Sequence, residues 1–501
     1  MKRNLLINRL LMIIWCVQLF IEGLVAWGVW RLNMLPGKHF AVLLAALMLV
    51  WMIVGLLLYI GRKGNRNGNV LRSLACIVLA VTVAGCTVAT SLIADLQSTL
   101  EHITEPTPSS VTMSVYVLKD NPAQSIEDAK EYRFACVQSY EEERTRQVLA
   151  AAEKLLGKQP ECEAFDSVEN MVTALYDQQV GAIILNSGYV PILEENEAFS
   201  DFSQKVRVLY EVVTVVTGPN QPIQPNVTPD TPKAITNSPF ILYLSGSDTR
   251  YDTLKTSRSD VNILVVVHPV TKQVLLLNTP RDTYVSNPAG DGAKDKLTHC
   301  GLYGTSCSAQ ALGELYGLQV DYHAQINFTG FKTLIDAIGG ITIYSDYAFN
   351  ADNGTAYVVI GENHFNGEQA LAYARERSTA GGDKNRGKNQ MKVIAAVIEK
   401  MTNSTALITN YSGILGSLQG MFTTDMEMSD IGALVKMQLS DMASWNIQSY
   451  AISGTGAMDT NYSMPGKYAY VMYPDMDMVD KAGALVDKVL SGGILTPEDV
   501  K

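Results

Sequence analysis

Three long apolar runs dominate the first hundred residues of the chain. They extend over residues 10–30, 40–60 and 73–94, and only the first contains a charged residue, Glu22. A helix of about 20 residues, rising about 1.5 Å per residue, spans the hydrocarbon core of a bilayer. A cleaved signal peptide would account for the first run alone, whereas two more follow it. The pattern therefore predicts three transmembrane helices within residues 1–99.

The next part of the chain alternates short apolar runs with amphipathic stretches. This rhythm predicts a small α/β accessory domain over residues 100–217. Its strand-like runs cover residues 111–118, 181–185 and 206–216, and its helical stretches include residues 141–156 and 167–175. Residues 218–238 then repeat proline with few apolar residues between, which predicts an extended, semi-rigid linker.

The pattern changes again from residue 239 to residue 501. Runs rich in β-branched residues over 240–244, 261–267 and 273–277 have the length and composition of buried central strands. Helical patterns follow at residues 308–316, 330–337, 367–374 and 385–401. The alternation predicts an α/β fold in which helices cover a β-sheet, followed by an α/β extension with a strand at 447–452.

Charge is distributed very unevenly along the chain. The first 100 residues contain nine Lys and Arg but only two acidic residues, while the whole chain carries a net charge of −11. The acidic remainder would be repelled by a polyphosphate strand, which argues against nucleic-acid binding. Lys and Arg flank the first apolar run and fill the loop at residues 62–72. The positive-inside rule therefore predicts a multi-pass plasma-membrane protein with a cytoplasmic N-terminus and an extracytoplasmic body after Asp95.

Four of the seven cysteines fall in this predicted extracytoplasmic part. An oxidising compartment permits two pairs that are close in sequence, Cys136 with Cys162 and Cys300 with Cys307. Four unpaired thiols are an equal alternative. No spacing suits a structural zinc site.

Polar residues of the C-terminal domain gather at the ends of its predicted strands. Asp248 follows the first strand, Asp260 precedes the second, and Arg281 follows the third. Rigid strand ends are where α/β proteins build sites. Two carboxylates on adjacent strand ends suit Mg²⁺, which takes one or two carboxylates and completes its shell with water and phosphate oxygens. Taken alone, either aspartate is equally typical of a surface residue in a turn.

A second polar cluster surrounds the start of the helix predicted at residues 385–401. Arg375 and Arg377 point to one side if residues 375–377 are extended. Arg386 and Gln390 are four residues apart and share a helix face, on which Val393 is apolar. Guanidinium groups bind phosphate oxygens in bidentate fashion. Arginines collected at element ends of an acidic body therefore indicate an anionic ligand such as a pyrophosphate.

These motifs, in this order, resemble the LytR-CpsA-Psr family of cell-wall glycopolymer ligases. The resemblance covers about residues 240–402 and rests on several motifs, which are Ser245-Gly-Ser-Asp-Thr-Arg, Arg258-Ser-Asp, Asn278-Thr-Pro-Arg-Asp-Thr-Tyr, Lys294-Asp-Lys-Leu-Thr-His, Ile326-Asn-Phe-Thr-Gly-Phe, Asp336-Ala-Ile-Gly-Gly-Ile, Asn366-Gly-Glu-Gln-Ala-Leu-Ala-Tyr-Ala-Arg-Glu-Arg and Arg386-Gly-Lys-Asn-Gln-Met. The membrane helices and the extra α/β domain are similar to the capsule-type branch. The segment from Cys300 to Cys307 and the pair Lys384-Asn385 depart from the family pattern, which leaves donor or acceptor preference open.

The resemblance implies a helix-covered mixed β-sheet and a function. Such a protein transfers a capsular or teichoic-acid-like glycopolymer from a polyprenyl (pyro)phosphate carrier to peptidoglycan, using Mg²⁺. By resemblance, Asp248 and Asp260 match the metal-binding aspartates. The mechanism of phosphoryl transfer then makes Asp248, as general base, and Arg281, as a charge donor to the phosphoryl group, the predicted catalytic residues. The positions that match the pyrophosphate-binding residues are Arg258, Arg281, Arg375, Arg377, Arg386 and Gln390. Two alternatives keep the same pocket: a non-catalytic lipid-pyrophosphate-binding regulator of polysaccharide assembly, and a polyprenyl-pyrophosphate phosphatase.

Overall fold

The structure is a computed structural model, and the chain forms two compact units within it. It describes residues 2–62, 66–104, 110–137, 141–194, 196–215, 234–247, 254, 257–290, 292–377, 382–403, 414, 416 and 418–501. The first unit comprises Met1–Thr104, Thr402–Gln419 and Met426–Ser444, and the second comprises Glu105–Met401, Gly420–Asp425 and Trp445–Lys501.

The first unit is built on three long helices. They are α1 (Lys2–Leu32), α2 (Gly37–Gly61) and α3 (Arg66–Thr104). Stretches of 26, 25 and 35 residues within them are apolar and long enough to cross a membrane. The rings of Trp15 and Trp51 stack with centroids 4.2 Å apart and join α1 to α2. These helices confirm the three apolar spans predicted from the sequence.

The accessory domain, described over residues 110–215, contains a five-stranded mixed sheet. Its order is β3-β2-β4-β1-β5, with parallel pairs around β2 and antiparallel pairs around β1. The strands are β1 (Ser110–Leu118), β2 (Arg133–Val137), β3 (Glu161–Phe165), β4 (Ala182–Asn186) and β5 (Val206–Val215). The helices are α4 (Glu142–Leu156), α5 (Val168–Tyr176), α6 (Val190–Glu194) and α7 (Phe202–Lys205).

The C-terminal domain, which is the rest of the second unit, is organised around a six-stranded mixed sheet. The order is β16-β11-β6-β7-β8-β17. Its strands are β6 (Phe240–Ser247), β7 (Val261–His268), β8 (Gln273–Asn278), β11 (Tyr322–Asn327), β16 (Phe422–Thr424) and β17 (Asn446–Ala451). Shorter strands form peripheral hairpins, namely β9 (Tyr284–Ser286), β10 (Lys294–Lys296), β12 (Ile341–Ser345), β13 (Phe349–Ala351), β14 (Ala356–Val358), β15 (Gly361–Phe365), β18 (Gly454–Asn461) and β19 (Met464–Pro474).

Helices cover both faces of this sheet, as the sequence predicts. They are α8 (Leu297–Cys300), α9 (Thr305–Tyr316), α10 (Phe328–Ala337), α11 (Gly367–Arg375), α12 (Gly382–Asn403) and α13 (Met476–Leu490). Alternate residues of a strand face opposite sides. Leu264 of β7 therefore packs into the core that contains α9 and α13, and Ile263 packs into the core beneath Met391 of α12. Burial on both faces explains why these strands read as continuous apolar runs.

One apolar core joins the accessory domain to the C-terminal domain. Tyr189 and Ile192 of the accessory domain belong to the same buried cluster as Leu302 and Tyr303. The hairpin of β18 and β19 adjoins β9 and β10, and Tyr284 packs edge-on against Tyr473. This hairpin was not predicted from the sequence, because its strands do not alternate polar exposed residues with apolar buried ones. Aromatic residues are exposed on one of its faces.

Candidate functional site

A cavity of about 350 Å³ lies between the large sheet and the helices α10, α11 and α12. Most of its wall is apolar. The apolar lining residues come from three strands and three helices, and they are Leu244, Val261, Ile326, Phe328, Phe331, Leu371, Ala374, Val393 and Ile394. Such a wall suits a hydrocarbon chain, because covering apolar surface with apolar ligand removes both from water.

The remaining wall of the cavity is strongly cationic. Four arginines line it, namely Arg281, Arg375, Arg377 and Arg386, together with Gln390. Asp260 is the one carboxylate among the described lining residues. The excess of guanidinium groups over carboxylates selects an anion, and planar guanidinium forks match phosphate oxygens. The cavity therefore combines an apolar part with a cationic part.

Close backbone packing brings α12 to the end of β8. A Cβ atom on Gly387 would lie 2.2 Å from the side-chain nitrogen of Asn278, so a larger residue would force the buried Asn278 side chain to move. Asn278 ends β8 and is followed by the segment that carries Arg281. Gly387 therefore allows Arg386, the preceding residue, to share the cavity with Arg281.

Arg281 and Asp260 form an ion pair within the cavity. Nη1 of Arg281 lies 2.6 Å from Oδ1 of Asp260, and both side chains are about four-fifths buried, with 20% and 15% exposed. Asp260 Oδ2 makes no hydrogen bond to a described residue. One carboxylate oxygen thus orients Arg281 while the other is available to a ligand or cation.

Arg375 and Arg377 reach the cavity by a different route from the one predicted. The sequence analysis considered residues 375–377 as extended, whereas Arg375 is the last residue of α11 and only Glu376 begins extended backbone. Arg375 Nη1 lies 3.5 Å from Asp352 Oδ2, and its guanidinium stacks 5.1 Å from the Phe328 ring centroid. Both arginines nevertheless line the same cavity.

Arg386 and Gln390 occupy one face of α12, as the four-residue spacing indicates. Their exposed fractions are only 6% and 9%. Val393 and Ile394 continue the wall one turn further along. The helix therefore places two buried polar groups at the cationic end of the cavity and two aliphatic groups towards its apolar part.

Two of the predicted site residues, Arg258 and Asp248, are not among the described residues that line this cavity. Arg258 does not line this cavity but a second one of about 180 Å³, which Arg281 also lines. Asp248 lies outside the described residues.

Among the residues that the structure describes, no group of three or more His, Cys, Asp or Glu side chains could hold a metal. A cation bound at Asp260 would therefore depend on Asp248, water and ligand oxygens, a donor set that Mg²⁺ accepts.

The sequence analysis missed a buried Asp–His pair beside Arg281. Asp295 Oδ1 lies 2.7 Å from His299 Nδ1, and His299 lines the second cavity. Burial alone would raise the pKa of Asp295. The charge of His299 and hydrogen bonds from His299, Ser463 and Asn287 together outweigh burial, so the pKa of this carboxyl lies below its ordinary value. The four-residue spacing of Asp295 and His299 was a signal in the sequence. Ser463, which also bonds to Asp295, lies 168 residues away and could not be anticipated.

Comparison with known proteins gives a consistent match over the C-terminal domain. The LytR_cpsA_psr family model matches residues 216–479. The "Polyisoprenyl-teichoic acid--peptidoglycan teichoic acid transferase TagU" of Enterococcus faecalis is 33% identical over 228 residues, covering 45% of this chain and 73% of that protein. Its namesake in Halalkalibacterium halodurans is 30% identical over 226 residues, with 44% and 72% covered. The crystal structure of TagV from B. subtilis matches at 26% identity and a TM-score of 0.42, covering 52% of this chain and 99% of that one.

Proposed function

The chain belongs to the LytR-CpsA-Psr family, and we propose that it is a membrane-anchored phosphotransferase that attaches a glycopolymer to peptidoglycan. The donor is a capsular or teichoic-acid-like polymer on a polyprenyl (pyro)phosphate carrier. The observation that supports this proposal most strongly is that one and the same cavity has an apolar part and a part lined by four arginines. A prenyl chain and its pyrophosphate require those two environments side by side.

The arginines stabilise the charge that develops on the phosphoryl group during transfer. Fixed charge donors aimed at a transferring phosphoryl group supply much of the catalysis in such reactions. Arg281 and Arg386 are held in place by burial and by close packing of α12 on β8, so they need little reorganisation. Gln390 donates its amide to a remaining phosphate oxygen.

Mg²⁺ is the cofactor that the residues fit. Asp260 would hold it together with Asp248, and the ion would neutralise phosphate charge and so favour departure of the prenyl phosphate. Asp260 suits this role because Arg281 occupies only one of its two carboxylate oxygens. The sequence also makes Asp248 a candidate general base for the acceptor hydroxyl.

The proposed topology places the accessory and C-terminal domains outside the plasma membrane. Lys2, Arg3 and Arg9 belong to the N-terminal part of α1, and further basic residues lie between α2 and α3 and in the first turns of α3. This distribution favours a cytoplasmic location for the start of α1 and for the α2–α3 connection. Peptidoglycan and outward-facing lipid-linked polymers are then accessible to the same domain. Nucleic acid is not a partner in this proposal.

The decisive experiment uses the full chain reconstituted in lipid vesicles. A synthetic prenyl-pyrophosphoryl oligosaccharide with a labelled sugar and purified glycan strands would be supplied with Mg²⁺. We expect release of prenyl phosphate together with label on the strands, and loss of both in Asp260→Asn. Asp487→Asn, an exposed change on α13, is the matched control.

Each alternative gives a different result in this assay. Prenyl phosphate released without label on the strands would identify a phosphatase. Donor binding without any turnover would identify a regulator. Wild-type transfer that survives intact in Asp260→Asn would refute the role of the carboxylate.

A further inference from the structure

A second cavity of about 180 Å³ adjoins the first cavity, and Arg281 lines both. Its wall is assembled from separate parts of the chain. Asn196 comes from the accessory domain, Lys296 and His299 come from the C-terminal domain, and Met464 comes from the hairpin of β18 and β19. A ligand held here would lie next to a phosphoryl group bound at Arg281.

The size and chemistry of this second cavity suit one sugar residue. An engineered protein cavity of roughly 150 Å³ holds a benzene ring, so the space admits one six-membered ring. Asn196 offers hydrogen bonds to hydroxyl groups, and so does Lys296, whose ammonium also pairs with Asp282 at 3.3 Å. Met464 and Ile192 offer apolar contact to a ring face. Sugar rings present both kinds of surface.

His299 is oriented so that one ring nitrogen is available to this cavity. Nδ1 faces Asp295 at 2.7 Å, and Nε2 makes no hydrogen bond within the part of the chain that the structure describes. A carboxylate at Nδ1 keeps a proton on that nitrogen, so Nε2 is the ring atom that can accept the proton of a hydroxyl group. A histidine oriented by a carboxylate is a recurring arrangement for a general base.

Asp295 is itself firmly positioned. It is fully buried, and its oxygens accept hydrogen bonds from the backbone of Lys296 at 2.8 Å, from Asn287 at 3.0 Å and from the backbone and hydroxyl of Ser463. So many donors fix both the carboxylate and the imidazole attached to it. A surface histidine in a turn would have none of this support.

We propose that the second cavity binds the acceptor sugar and that His299 is the general base for its hydroxyl. This proposal rests on the proposed function, and it makes His299 the general base in place of Asp248, the candidate from the sequence. The acceptor O–H proton passes to Nε2 of His299 as the oxygen forms a bond to the phosphorus at Arg281. The bond between that phosphorus and the bridging oxygen of the carrier breaks, and prenyl phosphate leaves with the electron pair.

The test uses the reconstituted full chain with the same labelled donor and glycan strands. His299→Gln should slow transfer by roughly 100-fold or more, the usual contribution of a general base, while donor binding is retained. His299→Ala should behave alike and regain transfer when imidazole is added, because imidazole can fill the vacated space. His364→Gln, at an exposed position of the same domain, is the control and should keep the wild-type rate.

A second variant tests the cavity independently of the base. Asn196→Trp would fill it from the accessory side, so we expect a higher KM for the glycan strands with donor binding unchanged. The acceptor site is refuted if this KM does not change. The base is refuted if His299→Gln transfers at the wild-type rate, if imidazole fails to rescue His299→Ala, or if both variants lose donor binding. Failure of the wild-type chain to transfer at all would instead refute the proposed function.

Discussion

The hydroxyl of Tyr189 in the accessory domain lies 2.9 Å from the hydroxyl of Tyr303 in the C-terminal domain, and both are buried. Tyr303 is also 3.0 Å from the hydroxyl of Ser463, which in turn donates to Asp295. A continuous chain of buried hydrogen bonds therefore runs from the accessory domain to the carboxylate that holds His299. The accessory domain is thus mechanically connected to the second cavity as well as forming part of its wall.

Removing one of the two tyrosine hydroxyls should cost stability. Tyr189→Phe removes one hydrogen bond from Tyr303, which keeps its bond to Ser463, so we expect a loss of about 0.5–1.5 kcal/mol of unfolding free energy. Adding Tyr303→Phe should cost less than the sum of the two single changes, because the partners then leave together. Denaturant unfolding of the detergent-solubilised chain measures this, with the exposed Tyr470→Phe as control. Strict additivity would show that the two hydroxyls do not interact.

The geometry of the Arg281–Asp260 pair predicts that charge alone does not replace the guanidinium. Arg281→Lys keeps the positive charge but cannot contact Asp260 and a phosphate oxygen with a planar fork. We expect a loss of a few kcal/mol in transition-state stabilisation for Arg281→Gln, and a partial loss for Arg281→Lys. The rate of prenyl phosphate release measures both. Equal rates for Arg281→Lys and wild type would contradict a bidentate role.

The apolar part of the first cavity predicts a dependence on prenyl chain length. Ile394→Trp would fill space that the structure leaves beside Val393, so we expect the KM for a long-chain donor to rise more than the KM for a farnesyl donor. Glu399→Trp, on an exposed position of the same helix, should affect neither. An equal rise for both donors would place the prenyl chain elsewhere.

Much of the fold was predictable because buried strands and spans are apolar along their whole length. The strands β6, β7 and β8 and the helices α1 to α3 lie where the sequence places them. The arginines of the first cavity were recognisable because each lies at or near the end of an element, where loops and helix termini meet. The number of these arginines in an otherwise acidic part of the chain was the feature that indicated an anionic ligand.

The second cavity was not predictable, because its walls meet only through long-range contacts. Ser463 and Asp295 are hydrogen-bonded although 168 residues separate them. Nothing near either residue in the sequence signals the other. Arg258 was grouped with the other arginines for the same reason: sequence order cannot distinguish two adjacent cavities that share Arg281.

The lowered pKa of Asp295 predicts a pH-dependent contribution to stability. A carboxyl whose folded pKa is depressed stabilises the fold above its unfolded pKa of about 3.9, and this contribution is lost as pH falls through the folded value. The difference in unfolding free energy between wild type and Asp295→Asn should therefore be constant near neutral pH and shrink at acid pH. A difference that stays constant down to acid pH would contradict this linkage.

The proposed outward location predicts the oxidation state of Cys136 and Cys162. Their sulfur atoms lie 3.1 Å apart on the neighbouring strands β2 and β3, so a disulfide needs only a small movement. An extracytoplasmic thiol oxidant would join them, and closing this loop would stabilise the domain by about 3 kcal/mol. Chain isolated without reductant and unfolded in detergent should show Cys162 protected from maleimide. In Cys136→Ser, Cys162 should react, and a reactive Cys162 in the wild-type chain would argue against the outward location.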